Sequence, residues 1–312
     1  MKRWTIWQAV CLILIVTQLV LVGCVAPVVA PAQPAAAQPQ AEPVVRQPGT
    51  LLLATTTSTA DSGLLTFILP DFEQANHVKV DVVAVGTGQA IEIGRRGDAD
   101  VLLVHSRGQE DKFVADGQAK ERFDVMYNDY IIVGPKDDPA QIAAAQNAAE
   151  AFQAISAAGA TFVSRGDKSG TNTKELGIWS SAKITPTQEM KWYNAIGQGM
   201  GDTLLFANEK LGYTLSDRGT YLSMKDKLPD LVILLGGDKL EENKDKSLLN
   251  PYGVMAVNPD KHPTVNYDLA MKFVNWLVSP ETQKKIGSYG VDKFGQPLFY
   301  PNSKEYKAAQ GQ

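Results

Sequence analysis

Short apolar runs alternate with apolar positions at helical spacing along most of the chain. Leu51–Ala54 is predicted to be a buried strand, and Ser62–Asn76 carries apolar residues at the spacing of an amphipathic helix. Val78–Val85 and Asp100–Val104 are the next predicted strands, and a helix that opens at Gly86 separates them. Strands that alternate with helices predict an α/β fold with a mostly parallel sheet flanked by helices.

The second half of the chain continues the same alternation. An alanine-rich segment, Asp138–Ala158, is predicted to be one long helix, and helix Ser169–Ser180 follows. An α/β pattern of about 260 residues is large for one sheet, so we expect two lobes. Lobe 1 is predicted to comprise residues 50–131 and 251–312, and lobe 2 residues 132–250. A ligand would bind in the interlobe cleft, at the carboxyl ends of the strands.

The N-terminus has the pattern of a bacterial lipoprotein signal. Basic residues at positions 2 and 3 precede an apolar stretch, so residues 1–23 are predicted to be a signal peptide. The stretch ends in Leu21-Val22-Gly23-Cys24, which resembles a lipobox and predicts lipidation at Cys24. Residues 24–49, rich in proline, alanine and glutamine, then form a tether that holds an extracytoplasmic body at the membrane, beside a membrane partner. The apolar stretch is also long enough to span a bilayer, so an uncleaved anchor stays open.

Composition excludes several classes of function. The 312 residues are 44% hydrophobic and 21% charged with a net charge of -4, which is typical of a globular protein. No basic run is present, so nucleic acid is not expected as a partner. His77, His105 and His262 lack the spacing of metal ligands, and Cys24 is assigned to lipid, so no free metal cation is expected. The glycines after Val85 match neither a dinucleotide site nor a P-loop, and no cofactor is expected.

Five consecutive hydroxyl residues, Thr55–Thr59, follow the first predicted strand. A helix N-cap needs one serine or threonine, so a cap leaves most of the run unexplained. Hydroxyls at a strand end, together with N–H groups at the start of the next helix, suit an anion with several oxygens. Thr87, between Gly86 and Gly88, adds a hydroxyl where the backbone can approach a ligand closely, and a plain turn is the alternative there.

A second hydroxyl-rich segment, residues 162–171, carries an arginine. Arg165 offers a planar fork of donors that stays charged at any working pH, which suits a tetrahedral dianion. Ser169 and Thr171 follow at the predicted start of a helix, and a surface arginine paired with Asp167 is the alternative. Two such segments, one in each predicted lobe, indicate a protein that grips a small oxyanion between its lobes.

Seven stretches, taken in order, resemble those of the tungstate-binding proteins of bacterial ABC transporters. They are Thr55–Thr59, Val85–Ala90, Gly97–His105, Val125–Tyr130, Phe162–Asp167, Gly197–Gly201 and Tyr213–Tyr221. The resemblance covers the body from Thr50 to Tyr300. It implies a two-lobed periplasmic-binding-protein fold of the second type, which captures tungstate and delivers it to an ABC permease and its ATPase. It implies no enzymatic activity.

The resemblance also implies a ligand set. The family's ligand residues correspond to hydroxyl and arginine positions of this chain: Thr56, Thr57, Ser58, Thr87, Arg165, Ser169 and Thr171. Tungsten would be bound as the oxyanion and not as a metal ion. Asn172 departs from the histidine expected in many relatives, but it lies beyond the ligand positions.

The residues themselves indicate an oxyanion, and only the resemblance indicates tungstate. Molybdate has nearly the same charge, shape and radius, so a molybdate-binding protein remains an alternative. Sulfate is smaller, and phosphate can carry a proton for which Asp167 is a nearby acceptor. A secreted hydrolase that uses Ser58 or Ser169 is a further alternative, although no Gly-x-Ser-x-Gly elbow is present. The last alternative is a sensor module that docks on a membrane receptor instead of a permease.

Overall fold

The computed structural model describes residues 49–311. The predicted signal peptide, Cys24 and nearly all of the predicted tether lie outside these residues. The strands are β1 (Thr50–Thr56), β2 (Lys79–Val85), β3 (Val101–Val104), β4 (Phe123–Pro135), β5 (Phe162–Ser164), β6 (Tyr193–Ala195), β7 (Thr214–Asp217), β8 (Leu231–Leu235), β9 (Leu249–Ala256) and β10 (Tyr300–Pro301). Within the described part, no helix combines the length and the apolar character needed to cross a membrane.

Helices connect most of these strands. They are α1 (Thr57–Asp61), α2 (Leu64–Asn76), α3 (Thr87–Arg95), α4 (Arg107–Ala115), α5 (Ala148–Ala158), α6 (Gly170–Ser181), α7 (Met200–Lys210), α8 (Arg218–Met224), α9 (Tyr267–Val278), α10 (Pro280–Ser288), α11 (Val291–Phe294) and α12 (Lys304–Ala309). Short 3-10 turns lie at Ile142–Ala144, Lys225–Lys227, Leu240–Glu242 and Lys246–Leu248.

The main sheet combines parallel and antiparallel pairs. β1 pairs in parallel with β2 on one side and with β3 on the other, and β5 pairs in parallel with β6 in a separate two-stranded sheet. These pairs confirm the parallel βαβ arrangement predicted from the first strands. β9 runs antiparallel to β3 and to β4, and β7, β8 and β10 run antiparallel to β4. The prediction of parallel pairing therefore does not extend to the strands around β4.

β4 is the longest strand and changes partners along its length. Its first part, Phe123–Asp129, pairs with β9, whereas Tyr130–Pro135 pairs with β7 and β8. The change of partner therefore falls between Asp129 and Tyr130, close to the predicted lobe boundary. The bounds of the two lobes stay a prediction, and β4 is the strand that pairs with both groups of strands.

Buried apolar side chains explain why these helices cover these strands. The apolar face predicted for α2 is buried at Leu64, Leu65, Ile68, Leu69 and Phe72. Phe72 meets Phe273 of α9 edge to face, with ring centroids 5.1 Å apart. A second aromatic cluster joins α5, β5 and α6, where Phe152 lies 4.2 Å from Trp179 between ring centroids. Each cluster holds helices against the strands whose ends carry the hydroxyl residues.

The long alanine-rich helix was predicted wrongly over its first ten residues. α5 begins at Ala148, where the Asn147 side chain accepts a hydrogen bond from the Glu150 N–H. Asp138 and Gln141 have positive φ angles of 41° and 56°, which no right-handed helix contains. The Asp138 carboxylate also accepts hydrogen bonds from backbone N–H groups at residues 142 and 143, which fixes a turn instead of a helix.

Candidate functional site

The first hydroxyl segment lies at the carboxyl end of β1, but the strand runs two residues further than predicted. α1 follows at once and has only five residues. Thr56 is its N-cap, and its Oγ1 accepts a hydrogen bond from the Thr59 N–H at 3.2 Å. Thr56 Oγ1 also lies 3.2 Å from Ser58 Oγ, and both side chains are buried. Thr57 points elsewhere, because its Oγ1 lies 3.5 Å from Nη2 of Arg165.

Arg165 directly follows β5 and is buried, with 3% of its surface exposed. Its Nη2 donates to Asp167 Oδ2 at 2.6 Å, and the other carboxylate oxygen of Asp167 accepts from the Ser169 N–H at 3.1 Å. The pairing with Asp167 therefore exists, but on a buried arginine and not on a surface one. The contact with Thr57 brings together two of the predicted ligand residues that are 108 positions apart.

The remaining predicted residues meet at the N-terminus of α6. Ser169 is the N-cap, and its Oγ accepts from the Asn172 N–H at 3.2 Å. Thr87 lies against Gly170, since a Cβ on that glycine would fall 2.9 Å from Thr87 Oγ1. The hydroxyls of Thr87 and Thr171 and the Nε of Arg165 are buried without a hydrogen-bond partner among residues 49–311. Three donors of the predicted set are therefore buried and unused in this region, which we call the seam: the contact between Thr87 and the N-terminus of α6, together with Arg165.

His105 is a site residue that the sequence analysis missed. It directly follows β3, and its Nε2 lies 3.1 Å from Thr56 Oγ1 and 3.3 Å from Ser58 Oγ. Its Nδ1 lies 3.0 Å from Asn250 Oδ1. A signal for it was available, because β3 is parallel to β1 and the carboxyl ends of adjacent parallel strands share one edge of a sheet.

The site has one permanent positive charge and a histidine held neutral. Burial, and secondarily the nearby charge of Arg165, lower the pKa of His105 to about 4, against a partly opposing hydrogen bond to Asn250. Burial likewise raises the pKa of the neighbouring Tyr130 hydroxyl, so that the phenol stays protonated. The pKa of Asp217 is raised by burial and held back by its bonds to Thr220 and by Arg165. At neutral pH the site therefore presents neutral hydroxyl donors around one guanidinium, which is paired with the Asp167 carboxylate.

Cavities lie on both sides of this seam. One of about 440 Å³ is lined by Thr57, Gly86, Arg165 and Gly199, among others. The other, of about 600 Å³, has His105, Tyr130, Gly170 and Lys174 in its wall. The Gly197–Gly201 stretch singled out in the sequence thus reaches the site through residues 197–199. Within the described residues, no group of three or more His, Cys, Asp or Glu side chains is placed to hold a metal ion.

Hydroxyls, backbone N–H groups and one buried guanidinium are donors, so this arrangement can bind an anion that offers several acceptor oxygens. The distances place donors from the ends of β1 and β5 and from the starts of α3 and α6 around one region. Arg218 and Asp129 do not belong to it. Their buried bidentate ion pair, with N–O distances of 2.7 and 2.6 Å, ties α8 to β4.

Comparison with known proteins covers most of the chain. A family model described as a PBP superfamily domain matches residues 29–281. A putative ABC transporter anion-binding protein from Haloferax volcanii is 52% identical over 253 residues, which are 81% of this chain and 72% of that protein. The tungstate-binding protein TupA from Peptoclostridium acidaminophilum is 49% identical over 257 residues, which are 82% of this chain and 86% of that protein.

A solved structure adds to these similarities. The structure described as the tungstate ABC transporter from Geobacter sulfurreducens is 56% identical, with a TM-score of 0.68. The match covers 77% of this chain and 98% of that chain. The family-model match over residues 29–281 spans both hydroxyl segments, β4 and β9.

Proposed function

We propose that this chain captures tungstate outside the cytoplasm and delivers it to a permease and its ATPase. The chain belongs to the family of ABC-transporter tungstate-binding proteins within the PBP superfamily. The anion would bind between lobe 1, residues 50–131 and 251–312, and lobe 2, residues 132–250. We propose direct contacts from Thr57, Ser58, Thr87, Arg165 and Thr171, with Thr56 and Ser169 completing the site.

One observation supports this proposal above all. The hydroxyls of Thr87 and Thr171 and the Nε of Arg165 are buried donors without a protein partner in the described part of the chain. A buried polar group without a partner costs about 1–3 kcal/mol, so three such donors in one region favour a ligand that accepts their hydrogen bonds. A tetrahedral oxyanion has four oxygens and would satisfy donors that converge from different directions.

The proposed mechanism is closure around the anion. The hydroxyls of lobe 1 would bind first, and lobe 2 would then rotate on β4 and β9 and bring Arg165 onto the ligand. Closure removes water, which strengthens each hydrogen bond between the ionised ligand and its donors. The contacts of Thr57 with Arg165 and of Thr87 with Gly170 are those expected of a closed form.

Phosphate fits this site less well than a fully ionised dianion. Protonated phosphate needs an acceptor, and Asp167 was the candidate in the sequence. Each of its carboxylate oxygens already accepts one hydrogen bond, one from Arg165 and the other from the Ser169 N–H, so a phosphate proton would have to share an oxygen that is already paired. Tungstate, molybdate and sulfate carry no proton at neutral pH and need only donors, so the choice among these three depends on cavity size.

A hydrolase is the second candidate, because Ser58 Oγ lies 3.3 Å from His105 Nε2 and His105 Nδ1 contacts Asn250. A general base works best with a pKa near the operating pH. Burial and Arg165 lower the pKa of His105 to about 4, which makes it a poor proton acceptor at neutral pH. Thr56 Oγ1 also lies nearer to Nε2 than Ser58 does. The geometry therefore favours binding, and ester turnover abolished by Ser58→Ala would favour the hydrolase.

The membrane attachment is part of the same proposal. Removal of residues 1–23 would leave Cys24 as a lipidated N-terminus, and residues 24–49 would tether the body near the permease. Incorporation of labelled fatty acid that is lost in a Cys24→Ala variant is the expected result. A protein that retains residues 1–23 would contradict it and favour the uncleaved anchor.

Calorimetric titration tests the ligand directly. Residues 25–312, produced without the lipid, would be titrated with tungstate, molybdate, sulfate and phosphate. We expect one-to-one tungstate binding with molybdate clearly weaker. Equal binding of tungstate and molybdate would replace the proposal with a general receptor for both anions. No heat with any of the four would refute an oxyanion site.

A further inference from the structure

We propose that His105 is a positioning residue of the oxyanion site. Its Nε2 accepts the Thr56 hydroxyl proton and so leaves the Ser58 hydroxyl free to donate to the anion. This inference depends on the proposed function for its ligand, but its hydrogen-bond pattern can be measured without one.

The partner of Nδ1 determines which ring nitrogen carries the proton. Asn250 donates through Nδ2 to Asn128 Oδ1 at 2.7 Å, so its amide oxygen is the atom that faces His105. That oxygen lies 3.0 Å from Nδ1. An amide oxygen only accepts hydrogen bonds, so Nδ1 must carry the proton. Nε2 of the neutral ring is then an acceptor with one lone pair in the ring plane.

Two hydroxyls compete for the Nε2 lone pair. Thr56 Oγ1 lies at 3.1 Å and Ser58 Oγ at 3.3 Å, so the shorter contact favours Thr56 as the donor. The Thr56 oxygen already accepts from the Thr59 N–H, and it lies 2.6 Å from Thr59 Oγ1. With its proton on His105 and the Thr59 N–H on one lone pair, Thr56 keeps one acceptor position, for which the Thr59 hydroxyl at 2.6 Å and the Ser58 hydroxyl at 3.2 Å compete. The shorter contact favours Thr59 as the donor, so Thr56 has no proton left for a ligand. Ser58 keeps its proton.

The surroundings keep the imidazole in this orientation. Its ring stacks on Tyr252 with centroids 4.6 Å apart, and the Tyr130 hydroxyl lies 3.3 Å from Nδ1. Burial and Arg165 disfavour the imidazolium, so at neutral pH Nε2 stays an acceptor. Since Asn250 belongs to β9 and Tyr130 to β4, these two neighbouring strands hold the ring that orients Thr56.

Two substitutions separate this role from simple packing. In His105→Gln the side-chain oxygen can take the position of Nε2 and accept from Thr56, whereas the shorter amide of His105→Asn can reach only the Asn250 side. We expect His105→Asn to weaken tungstate binding about tenfold and His105→Gln to stay within about threefold of the unchanged protein, since one or two neutral hydrogen bonds are involved. His262→Gln is the matched control, because His262 bonds to Gln118 and not to the site hydroxyls.

Equal affinities of His105→Asn and the unchanged protein would overturn the proposal, and so would an equal loss in both variants. Nitrogen-15 spectra of the ligand-free, unchanged protein test it independently of folding defects. The Nδ1–H tautomer at neutral pH is expected, and the Nε2–H tautomer would overturn the proposal. If the unchanged protein binds none of the four anions, the proposed function fails while the tautomer result still decides the role of His105 in orienting Thr56.

Discussion

Arg165→Ala is the substitution that bears most directly on the proposed site. The guanidinium is 3% exposed, uses Nη2 for Asp167 and Thr57, and keeps a buried Nε that no described residue accepts from. A hydrogen bond to a charged group contributes about 1.5–3 kcal/mol, so losing one such bond to a dianion costs about 2 kcal/mol or more. That loss corresponds to about a 30-fold increase in the dissociation constant.

The size of the effect also depends on the negative charge that Arg165 neutralises. Asp167 would keep its bond from the Ser169 N–H but lose its cation, and its charge would then repel the anion. Arg165→Lys keeps a positive charge without the planar fork, so an intermediate loss is expected. The assay is calorimetric titration with tungstate, with the thermal midpoint of each ligand-free variant recorded beside it.

Arg96→Ala is the matched control for this experiment. Arg96 is half exposed on its side chain and pairs with Asp98 at 2.7 Å, and neither lines the two cavities beside the site. Its affinity for tungstate should equal that of the unchanged protein. A folded Arg165→Ala protein that binds within twofold of the unchanged protein would refute the assignment of the charged ligand group, whatever the other residues do.

Three further perturbations are expected to act as follows. A Cβ on Gly170 would lie 3.0 Å from His105 Cε1 and 2.9 Å from Thr87 Oγ1, so Gly170→Ala should cost about 1–3 kcal/mol of folding stability and weaken tungstate binding in calorimetry, while Gly177→Ala, whose Cβ would meet no atom within 4 Å, should do neither. Arg218→Met leaves the buried Asp129 carboxylate without its cation and should lower the free energy of unfolding by about 3–5 kcal/mol in urea titrations; a loss below about 1 kcal/mol would contradict this. Burial lowers the pKa of His105 from 6.5 in the unfolded chain to about 4 in the native state, so the unfolded chain binds this proton more tightly. The free energy of unfolding should therefore be at its full value above pH 6.5 and fall by about 3 kcal/mol as the pH is lowered toward 4 and below. The difference between the unchanged protein and His105→Gln over that range isolates this contribution, and parallel curves would contradict it.

The sequence predicted the family and the fold class correctly, and the physical reasons are visible in particular residues. The apolar period of α2 and the strand pattern of β1 are local signals, because the spacing of apolar residues along the chain shows which face of an element is buried. The antiparallel course of β4 and β9 was not predicted, since strand direction depends on connections that lie outside any local pattern. The predicted start of α5 was wrong because Asp138 and Gln141 have positive φ angles, which end a helix despite the high helix propensity of the alanines around them.

The candidate site was predictable in part. Thr57 and Arg165 were named separately from two hydroxyl-rich segments, and they meet at 3.5 Å. His105 was set aside because metal spacing was the criterion applied to each histidine, and a histidine that orients hydroxyls needs no such spacing. The contact of Gly170 with Thr87 was also beyond the sequence, since it depends on how two distant helix starts pack. The ligand roles of all these residues stay predictions until affinities are measured.

The run of five hydroxyls, which no capping rule accounts for, has a different task at each position. The Thr55 hydroxyl donates to a carbonyl of the neighbouring strand at 2.7 Å and holds β1 to β3. Thr56 caps α1 and contacts the histidine, and Thr59 packs its hydroxyl 2.6 Å from that of Thr56. Only Thr57, which faces the arginine, and Ser58, which the histidine leaves unused, then keep protons to donate. If the five hydroxyls have these different roles, Ser58→Ala should weaken anion binding more than Thr55→Val, although both remove one hydroxyl from the same run. Calorimetry of the two folded variants would refute these roles if their affinities changed equally.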